Sequence, residues 1–452
     1  LFLCLEWVLG SKRVLLGVLV GIFFALSALS SWYYAPIIAI FGAVYVLWRT
    51  RLWRERLFDR RLWCLLAVSV VVAGLLMAPS LVHTMRVWSQ REMAFSLHEV
   101  DVFSASIGEF LVPNPMHPLW GRWVAPYYVA RQDVPEYVVG LSWVALVLAL
   151  VAVQKRREKT TYAYAVLFGL SFVLALGTTL HIDGQRIYVM VPAWIERAFT
   201  VAMGWLANRL ALHPMPSYYD LRIAGAIYIP LPTLACYLYL PFFDAMRVWT
   251  RFGLFTTFAV AVLASMGAAQ LVRGMRHTTR HSQWSVLLVV LILFELVAVP
   301  FPLGWTEVQS QPVDGWLARQ AEEGAVAQFP LWRAEHGPAL YAQKAHTRPV
   351  AYGYGAFFPR NYRQVRSILW GFPTSEAIDL LRDWGVRYVM VGAESYGAEW
   401  PEVQRRISQL DALDLVATFD EEPRYHSGWL SELLPDFGRA FIVDRVCVYV
   451  LR

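Results

Sequence analysis

The sequence predicts an α-helical polytopic membrane protein with a C-terminal extracytoplasmic α/β domain. Three observations support this fold class. The 452 residues are 57% hydrophobic and only 16% charged, which is little charge for a soluble chain of this length. Apolar runs of about 20 residues, long enough to cross a bilayer, recur over residues 1–304. The 20 tryptophans fit the aromatic belts of membrane interfaces.

The apolar runs define a predicted transmembrane domain, residues 1–304, with about seven complete spans and a partial first one. The run 14–48 is too long for one helix and is interrupted by SSWYYAP, where Pro36 predicts a turn between two shorter helices. The other predicted spans are 63–82, 137–153, 161–180, 253–272 and 284–303. Because the chain begins with Leu1 inside an apolar pattern, we expect a further segment upstream.

Basic loops set the predicted orientation, since such loops stay on the cytoplasmic side. These loops are RTRLWRERLFDRR (49–61), QKRREK (154–159) and RGMRHTTR (273–280). The long loops 83–136 and 181–250 and the tail from residue 305 then face outward. The positive charge lies in short loops rather than on one basic face, which excludes nucleic acid as a partner.

Residues 305–452 form the predicted α/β domain, and they carry 15 basic and 19 acidic residues. The predicted strands are AVAQFPLW (325–332), VRYVMVGA (386–393), LDLVATFD (413–420) and FIVDRVCVYVLR (441–452). The predicted helices are 314–323, 374–384 and 399–411. This alternation favours a mixed sheet covered by helices.

Two arginines in DAMRVWTRFGLF stand at the outer end of the predicted span 253–272. At a spacing of four residues, Arg247 and Arg251 are predicted to share one helix face, where paired guanidiniums suit a lipid phosphate. Arginines also extend to headgroups at helix ends without a specific ligand, and this alternative stays open. The preceding stretch 227–246 contains three prolines and predicts a broken or re-entrant segment that lines a groove.

The outer loop 83–136 holds the candidate chemical groups, because carboxylates and histidines cluster in SLHEVDVFSASIGEFLVPNPMHPLWG (96–121). His98 with Asp101 permits a metal pair, but this spacing is common by chance, and no metal ligand set is predicted. His117 and Trp120 in PNPMHPLWG are predicted to fix a turn at the interface and to border a groove. The four cysteines are far apart and predict neither a disulfide framework nor a zinc site.

The chain resembles bacterial multi-spanning proteins of the GT-C glycosyltransferase type, in particular the YfhO-like and dolichyl-phosphate-mannose-transferase-like groups. The resemblance covers most of the chain. Its motifs are SALSSWYYAP, PNPMHPLWG, IPLP followed by RVWTRF, GAVAQFPL, HTRPVAYGYGAFFPRNY and LRDWGVRYVMV.

This resemblance implies a protein of the bacterial cytoplasmic membrane that takes a polyprenyl-phosphate-linked sugar and transfers it at the outer face. In the family a carboxylate of the first outer loop acts as the base, in some members with a divalent cation. That loop would lie upstream of Leu1, and Asp101 or Glu99 would supplement it. The groove for the acceptor, whose identity the resemblance does not give, would involve His117, Trp120, Tyr352, Tyr354 and Arg360.

Two alternatives to an enzyme remain. The first is a non-catalytic membrane protein that binds lipid-linked saccharides or assists envelope assembly. The second and weaker one is a transporter, for which Glu295 within the last predicted span is the main ionisable residue. A transporter would also show inverted repeats, and the sequence contains no convincing internal repeat.

Overall fold

The computed structural model describes residues 1–11, 13–50, 59–92, 95, 97–129, 138–209, 222–223, 225–274, 281–298, 305–306, 310–335, 337–353, 358–359, 361–422, 426–427 and 443–452. The chain divides into two compact units. The first comprises Leu1–Ser89 and Met93–Pro300, and the second comprises Gln90–Glu92 and Phe301–Arg452. Each unit has its own hydrophobic core.

The described part of the first unit is mostly helical. Its helices are α1 (Phe2–Ser11), α2 (Val14–Ser30), α3 (Tyr34–Thr50), α4 (Arg60–Gln90), α5 (Leu97–Val102), α6 (Gly121–Val129), α7 (Trp143–Lys155), α8 (Lys159–Ala175), α9 (Ala193–Arg209), α10 (Thr233–Tyr239), α11 (Gly253–Gly274) and α12 (His281–Glu295).

The predicted hairpin within residues 14–48 is confirmed. Helix α2 ends at Ser30 and α3 begins at Tyr34, so that only three residues separate them. The backbone N–H of Tyr34 donates to the carbonyl of Ser31 at 2.9 Å, which closes the turn. This turn positions Tyr33, a residue of the candidate site.

Two described helical stretches are long and apolar enough to cross a membrane, Arg60–Val87 and Trp249–Arg273. In Arg60–Val87, only 17% of the apolar 18-residue window is buried, whereas the core helix of a soluble protein is mostly buried. The other described apolar helices have 10 to 17 residues. At a rise of about 1.5 Å per residue, even the longest of these reaches about 25 Å, less than the hydrocarbon core of about 30 Å.

Helices α7, α8 and α11 pack closely through small residues. A Cβ atom added to Gly267 on α11 would lie 1.9 Å from the carbonyl oxygen of Leu148 on α7. The hydroxyl of Thr256 on α11 lies 3.0 Å from that of Ser171 on α8. Small side chains and hydroxyl pairs of this kind are typical of helices that associate in a membrane.

The proline-rich stretch 227–246 is broken, as the sequence predicts. A short strand, Ala226–Tyr228, ends before Pro230, and α10 ends at Tyr239, before Pro241. The strands in the described part of this unit are short and form two small antiparallel sheets. These strands are β2 (His181–Ile182), β3 (Gln185–Arg186), β4 (Tyr188–Met190), β5 (Arg222–Ile223) and β6 (Ala226–Tyr228); β1 (Arg91–Glu92) precedes them in the chain and belongs to the second unit.

The second unit is an α/β structure. Its helices are α13 (Pro312–Ala318), α14 (Leu331–Ala334), α15 (Gly337–His346), α16 (Tyr362–Trp370), α17 (Ser375–Asp383), α18 (Ala393–Tyr396) and α19 (Trp400–Ser408). Its further strands are β7 (Trp305–Thr306), β8 (Ala325–Phe329), β9 (Phe358–Pro359), β10 (Val386–Gly392), β11 (Leu413–Asp420), β12 (His426–Ser427) and β13 (Arg445–Leu451). Strand β1 pairs with β9, and β7 pairs with β12.

Four strands form the central sheet in the order β11-β13-β10-β8. Strand β10 runs parallel to β8 and antiparallel to β13, so the sheet is mixed. Alternate residues face opposite sides: Val389 and Val391 belong to the core under α16, α17 and α19, whereas Tyr388 and Met390 belong to the core under α13. The sheet is therefore covered by helices on both faces.

Candidate functional site

The segment around Arg247 and Arg251 does not form the helical turn that their spacing predicts. Arg247 lies in an extended stretch, and a 3-10 turn, Trp249–Phe252, follows it before α11 begins. The carbonyl of Phe103 accepts two backbone N–H groups of this turn, at 3.0 and 3.1 Å. These bonds anchor the turn to the loop that follows α5. The prediction that both arginines share one helix face is therefore wrong.

Tyr33 brings the two arginines together instead. The Tyr33 hydroxyl accepts the backbone N–H of Arg247 at 3.2 Å, and the guanidinium of Arg251 lies over the Tyr33 ring at 4.9 Å from its centroid. The guanidinium of Arg247 lies over the ring of Phe103 at 4.5 Å and near that of Phe95 at 5.8 Å. The aromatic rings thus attract both charged groups through cation–π contacts.

Arg247 differs from Arg186 and Arg333 in its charge environment. It forms no ion pair with any residue in the part of the chain that the structure describes. Arg186 and Arg333, in contrast, contact carboxylates at 3.2 Å and 2.5 Å. Arg247 also precedes the N-terminus of α11, where the helix dipole disfavours a cation. An anion bound at this position would offset the charge of Arg247 and the positive end of the α11 dipole.

Asp101 forms a buried ion pair. It lies on α5 with 1% of its surface exposed, and the Thr178 hydroxyl donates to its Oδ1 atom at 2.6 Å. The Nη2 atom of Arg186 lies 3.2 Å from Oδ2, without the alignment of a hydrogen bond. Burial raises the pKa of Asp101 above its usual value, although the Arg186 charge and the Thr178 hydroxyl oppose that shift.

Glu99 and His98 occupy neighbouring positions on the same helix. Glu99 is half-buried, whereas His98 is exposed. The Nη2 atom of Arg186 lies 3.3 Å from Nδ1 of His98, and the guanidinium stacks over the Tyr228 ring at 4.6 Å. Arg186 therefore connects the loop 83–136 with the loop 181–250.

His117 and Trp120 pack against each other and against the end of α12. Their rings stack at 3.6 Å with an interplanar angle of 7°, and the ring of Phe294 meets both edge-on. The Nε2 atom of His117 lies 2.8 Å from the carbonyl oxygen of Phe294. The structure therefore gives His117 the contacts of a residue that fixes a turn.

Glu295 is the last residue of α12, and its side chain contacts the start of α7. Its Oε2 atom accepts the hydroxyl of Ser142 and the backbone N–H of Val144, the latter at 3.2 Å. Ser142 is the N-cap of α7, so this carboxylate lies at a helix N-terminus, where the dipole favours a negative charge. These contacts account for Glu295 without a role in transport.

Of the three remaining candidates, Tyr354 and Arg360 lie outside the described residues. Tyr352 belongs to the second unit, where its hydroxyl donates to Oε1 of Glu335 at 3.1 Å and its ring stacks with that of Tyr362. Burial raises the pKa of the Tyr352 hydroxyl. Nη2 and Nε of Arg366 complete this cluster by binding the same carboxylate.

The described residues contain no group of three histidine, cysteine or carboxylate side chains that could hold a metal ion. The sequence reasoning missed several residues that the structure brings to the site, namely Tyr33, Phe103 and Arg186. Only Tyr33 carried a signal, since SSWYYAP was recognised as a turn. Comparison with protein-family models, curated proteins and solved structures finds no match to this chain.

Proposed function

We propose that this chain is a multi-spanning protein of the bacterial cytoplasmic membrane that binds a polyprenyl-phosphate-linked sugar and supports transfer of that sugar at the outer face. Arg247 and Arg251 hold the phosphate in this proposal. One observation carries this proposal. Arg247 lies just before the apolar helical stretch Trp249–Arg273, and its charge has no ionic partner among the described residues.

The chemistry of the two arginines suits a phosphate. A guanidinium donates several N–H groups from one plane, which suits a phosphate, and the guanidiniums of Arg247 and Arg251 each lie over an aromatic ring. Tyr33 contacts both residues, since its hydroxyl accepts the backbone N–H of Arg247 and its ring lies under the guanidinium of Arg251. The apolar, largely uncovered surface of α4 supports a lipid environment for the same unit.

Sidedness completes the proposal. This orientation takes the shorter apolar helices α2, α3, α7, α8 and α12 as membrane spans alongside α4 and α11. On that basis the basic loops favour the outer face for the α2–α3 turn, the loop after α4 and the start of α11. With α12 as the last span, the same rule favours a second unit outside the cytoplasm, where it would orient the acceptor.

In the proposed reaction, the oxygen of an acceptor hydroxyl attacks the anomeric carbon of the sugar. The bond from that carbon to the phosphate oxygen breaks, and the lipid phosphate leaves with the electron pair. The two arginines stabilise the charge that develops on it. A carboxylate takes the hydroxyl proton; because Asp101 is enclosed in its ion pair, we assign this role within the chain to Glu99.

A second candidate function is a non-catalytic protein that binds the same lipid-linked sugar. The burial of Asp101 favours it, because that burial leaves fewer accessible carboxylates in the loop. The two functions share the phosphate site and differ only in whether the bound sugar is transferred.

The test uses the purified full chain in lipid nanodiscs and measures two quantities, binding of undecaprenyl phosphate and sugar release from an undecaprenyl-phosphate sugar. A charge-assisted hydrogen bond contributes about 1.5–3 kcal/mol, so each Arg→Gln change should weaken binding about tenfold or more. We expect the double variant R247Q/R251Q to lose about 100-fold in affinity. Arg197→Gln, at an exposed arginine on α9, is the matched control and should bind as the wild type does.

Unchanged lipid binding in a folded R247Q/R251Q variant contradicts the phosphate site. If this variant loses binding and the wild type turns over, Glu99→Gln should abolish transfer and leave binding intact. Binding without any turnover in the wild type supports the non-catalytic function.

A further inference from the structure

A cavity of about 410 Å³ lies in the first unit, where α12 ends and α7 begins. Its described lining includes Asn114, Trp120, Trp143 and Glu295, together with Val138, Gly140 and Leu141. Ligand sites are usually concave and mostly apolar, with a few polar groups that fix orientation. This cavity has that composition, with two indole rings and a small set of polar atoms.

The polar atoms of the lining are incompletely paired. The Oδ1 atom of Asn114 accepts the backbone N–H of Met116 at 2.8 Å, and no described residue accepts from its NH₂ group. Both recorded contacts of Glu295 use Oε2, which leaves Oε1 as an acceptor. The lining thus offers donors and an acceptor to one ligand.

The indole rings are held in place. The Nε1–H of Trp143 donates to the carbonyl of Leu111 at 3.0 Å, while 57% of the residue remains exposed. One face of Trp120 is covered by the stacked His117 ring. Fixed aromatic side chains provide contact area at little entropic cost, which favours binding of a ring with an apolar face.

We infer that this cavity binds a neutral sugar ring. Sugar hydroxyls both donate and accept, so one pyranose pairs with the Asn114 donors and the Glu295 acceptor, while its C–H face packs on Trp143. A quaternary ammonium ion would suit the indoles and the carboxylate but would leave the Asn114 donors unpaired. An anionic sugar phosphate would be repelled by Glu295. The chemistry of the lining therefore selects a neutral saccharide.

The cavity lies at the same end of the unit as the arginine pair. A Cβ atom added to Gly253, the first residue of α11, would lie 2.9 Å from Cγ1 of Val139, which stands between the lining residues Val138 and Gly140. This inference rests on the proposed function and deepens it: a sugar ring, in the acceptor or the donor, binds beside the phosphate site.

The test measures saturation-transfer NMR signals of methyl α-mannopyranoside, methyl β-glucopyranoside and N-acetylglucosamine with the full chain in nanodiscs. Glycoside detergents are excluded because their headgroups would compete. We expect at least one sugar to bind in the millimolar range. Trp143→Ala should weaken it tenfold or more, and Trp194→Ala, a tryptophan on α9 outside the cavity lining with 68% exposure, should not.

Asn114→Asp gives a second test that preserves the fold, because it keeps the acceptor for Met116 and removes the two donors. We expect about tenfold weaker sugar binding with an unchanged melting temperature. The inference is overturned if none of the sugars binds, if Trp143→Ala and Asn114→Asp bind as the wild type does, or if choline binds in place of sugar. R247Q/R251Q should keep sugar binding and lose lipid-phosphate binding, so the failure of one site is distinguishable from that of the other.

Discussion

The ion pair between Asp101 and Arg186 makes a prediction that can be worked out from the structure. The perturbation removes each partner alone and then both together, in the variants Asp101→Asn, Arg186→Met and the double variant. Asn keeps an acceptor for the Thr178 hydroxyl, which donates at 2.6 Å. Met keeps much of the apolar stem of Arg186.

The magnitude follows from distance and burial. At 3.2 Å and an effective dielectric constant of about 20, the attraction is about 5 kcal/mol before desolvation. Arg186→Met leaves a 1% exposed carboxylate without its partner, which should cost about 3–5 kcal/mol of the free energy of unfolding. Asp101→Asn should cost less, about 1–2 kcal/mol of the free energy of unfolding. In this variant Arg186 keeps its contact with the Tyr228 ring, and 17% of its side chain remains exposed to solvent.

The same ion pair predicts that the free energy of unfolding depends on pH. Burial raises the pKa of Asp101 above the ordinary 3.8, so the native state binds the proton more tightly than the unfolded state. This group therefore stabilises the fold fully below about pH 4, and the contribution is lost as the pH rises through the native pKa. Arg186→Met raises that pKa further, so lowering the pH from about 7 to about 5 should restore part of its stability. Asp101→Asn should remove the dependence.

The assay is urea unfolding of the full chain in detergent micelles, followed by tryptophan fluorescence at three pH values. The double-mutant cycle should give a coupling energy of about 1–3 kcal/mol. Equal costs for the two single variants, or a coupling energy near zero, would refute the reasoning that a buried ion pair joins the two loops.

Three further predictions concern packing, charge and sidedness. Gly267→Ala should destabilise the first unit by about 1–3 kcal/mol in detergent unfolding, because the new Cβ meets the Leu148 carbonyl, whereas Gly74→Ala on α4 meets nothing within 4 Å and should be neutral or stabilising. Arg333→Ala should cost about 3–5 kcal/mol, since it removes the guanidinium that binds the buried carboxylates of Asp444 and Glu421, whereas Arg405→Ala at an exposed pair should cause no measurable change in the melting temperature. With the native cysteines replaced by alanine, a membrane-impermeant maleimide applied to spheroplasts should label Asp379→Cys in the second unit and not Glu158→Cys; the reverse pattern would contradict the proposed orientation.

The helices and strands with a clear pattern could be predicted from the sequence. The strand 413–420 has the predicted limits, and the break in 14–48 falls at the predicted SSWYYAP turn. Local signals suffice in both cases, because alternation and turn residues act over a few positions. The strand order β11-β13-β10-β8 could not be predicted, since it depends on which distant strands pair.

The candidate site was less predictable for the same reason. The helix was expected to include Arg247, but two N–H groups of the 3-10 turn instead bond to Phe103, nearly 150 positions earlier in the chain. The sequence identified Glu295 as an ionisable residue within a span. It could not predict the contacts of Glu295 with the N-terminus of α7, because Ser142 and Val144 are about equally remote in sequence. Residue type identified the arginines as anion-binding candidates, and only the fold shows what surrounds them.

The most direct test of the central claim is a cryo-EM structure of the full chain in nanodiscs that contain undecaprenyl phosphate. The account predicts phosphate density within about 4 Å of the guanidiniums of Arg247 and Arg251, beside the Tyr33 ring, and predicts its absence in the R247Q/R251Q variant. A resolved lipid phosphate elsewhere on the protein, with Arg247 paired to a carboxylate of the chain, would contradict it.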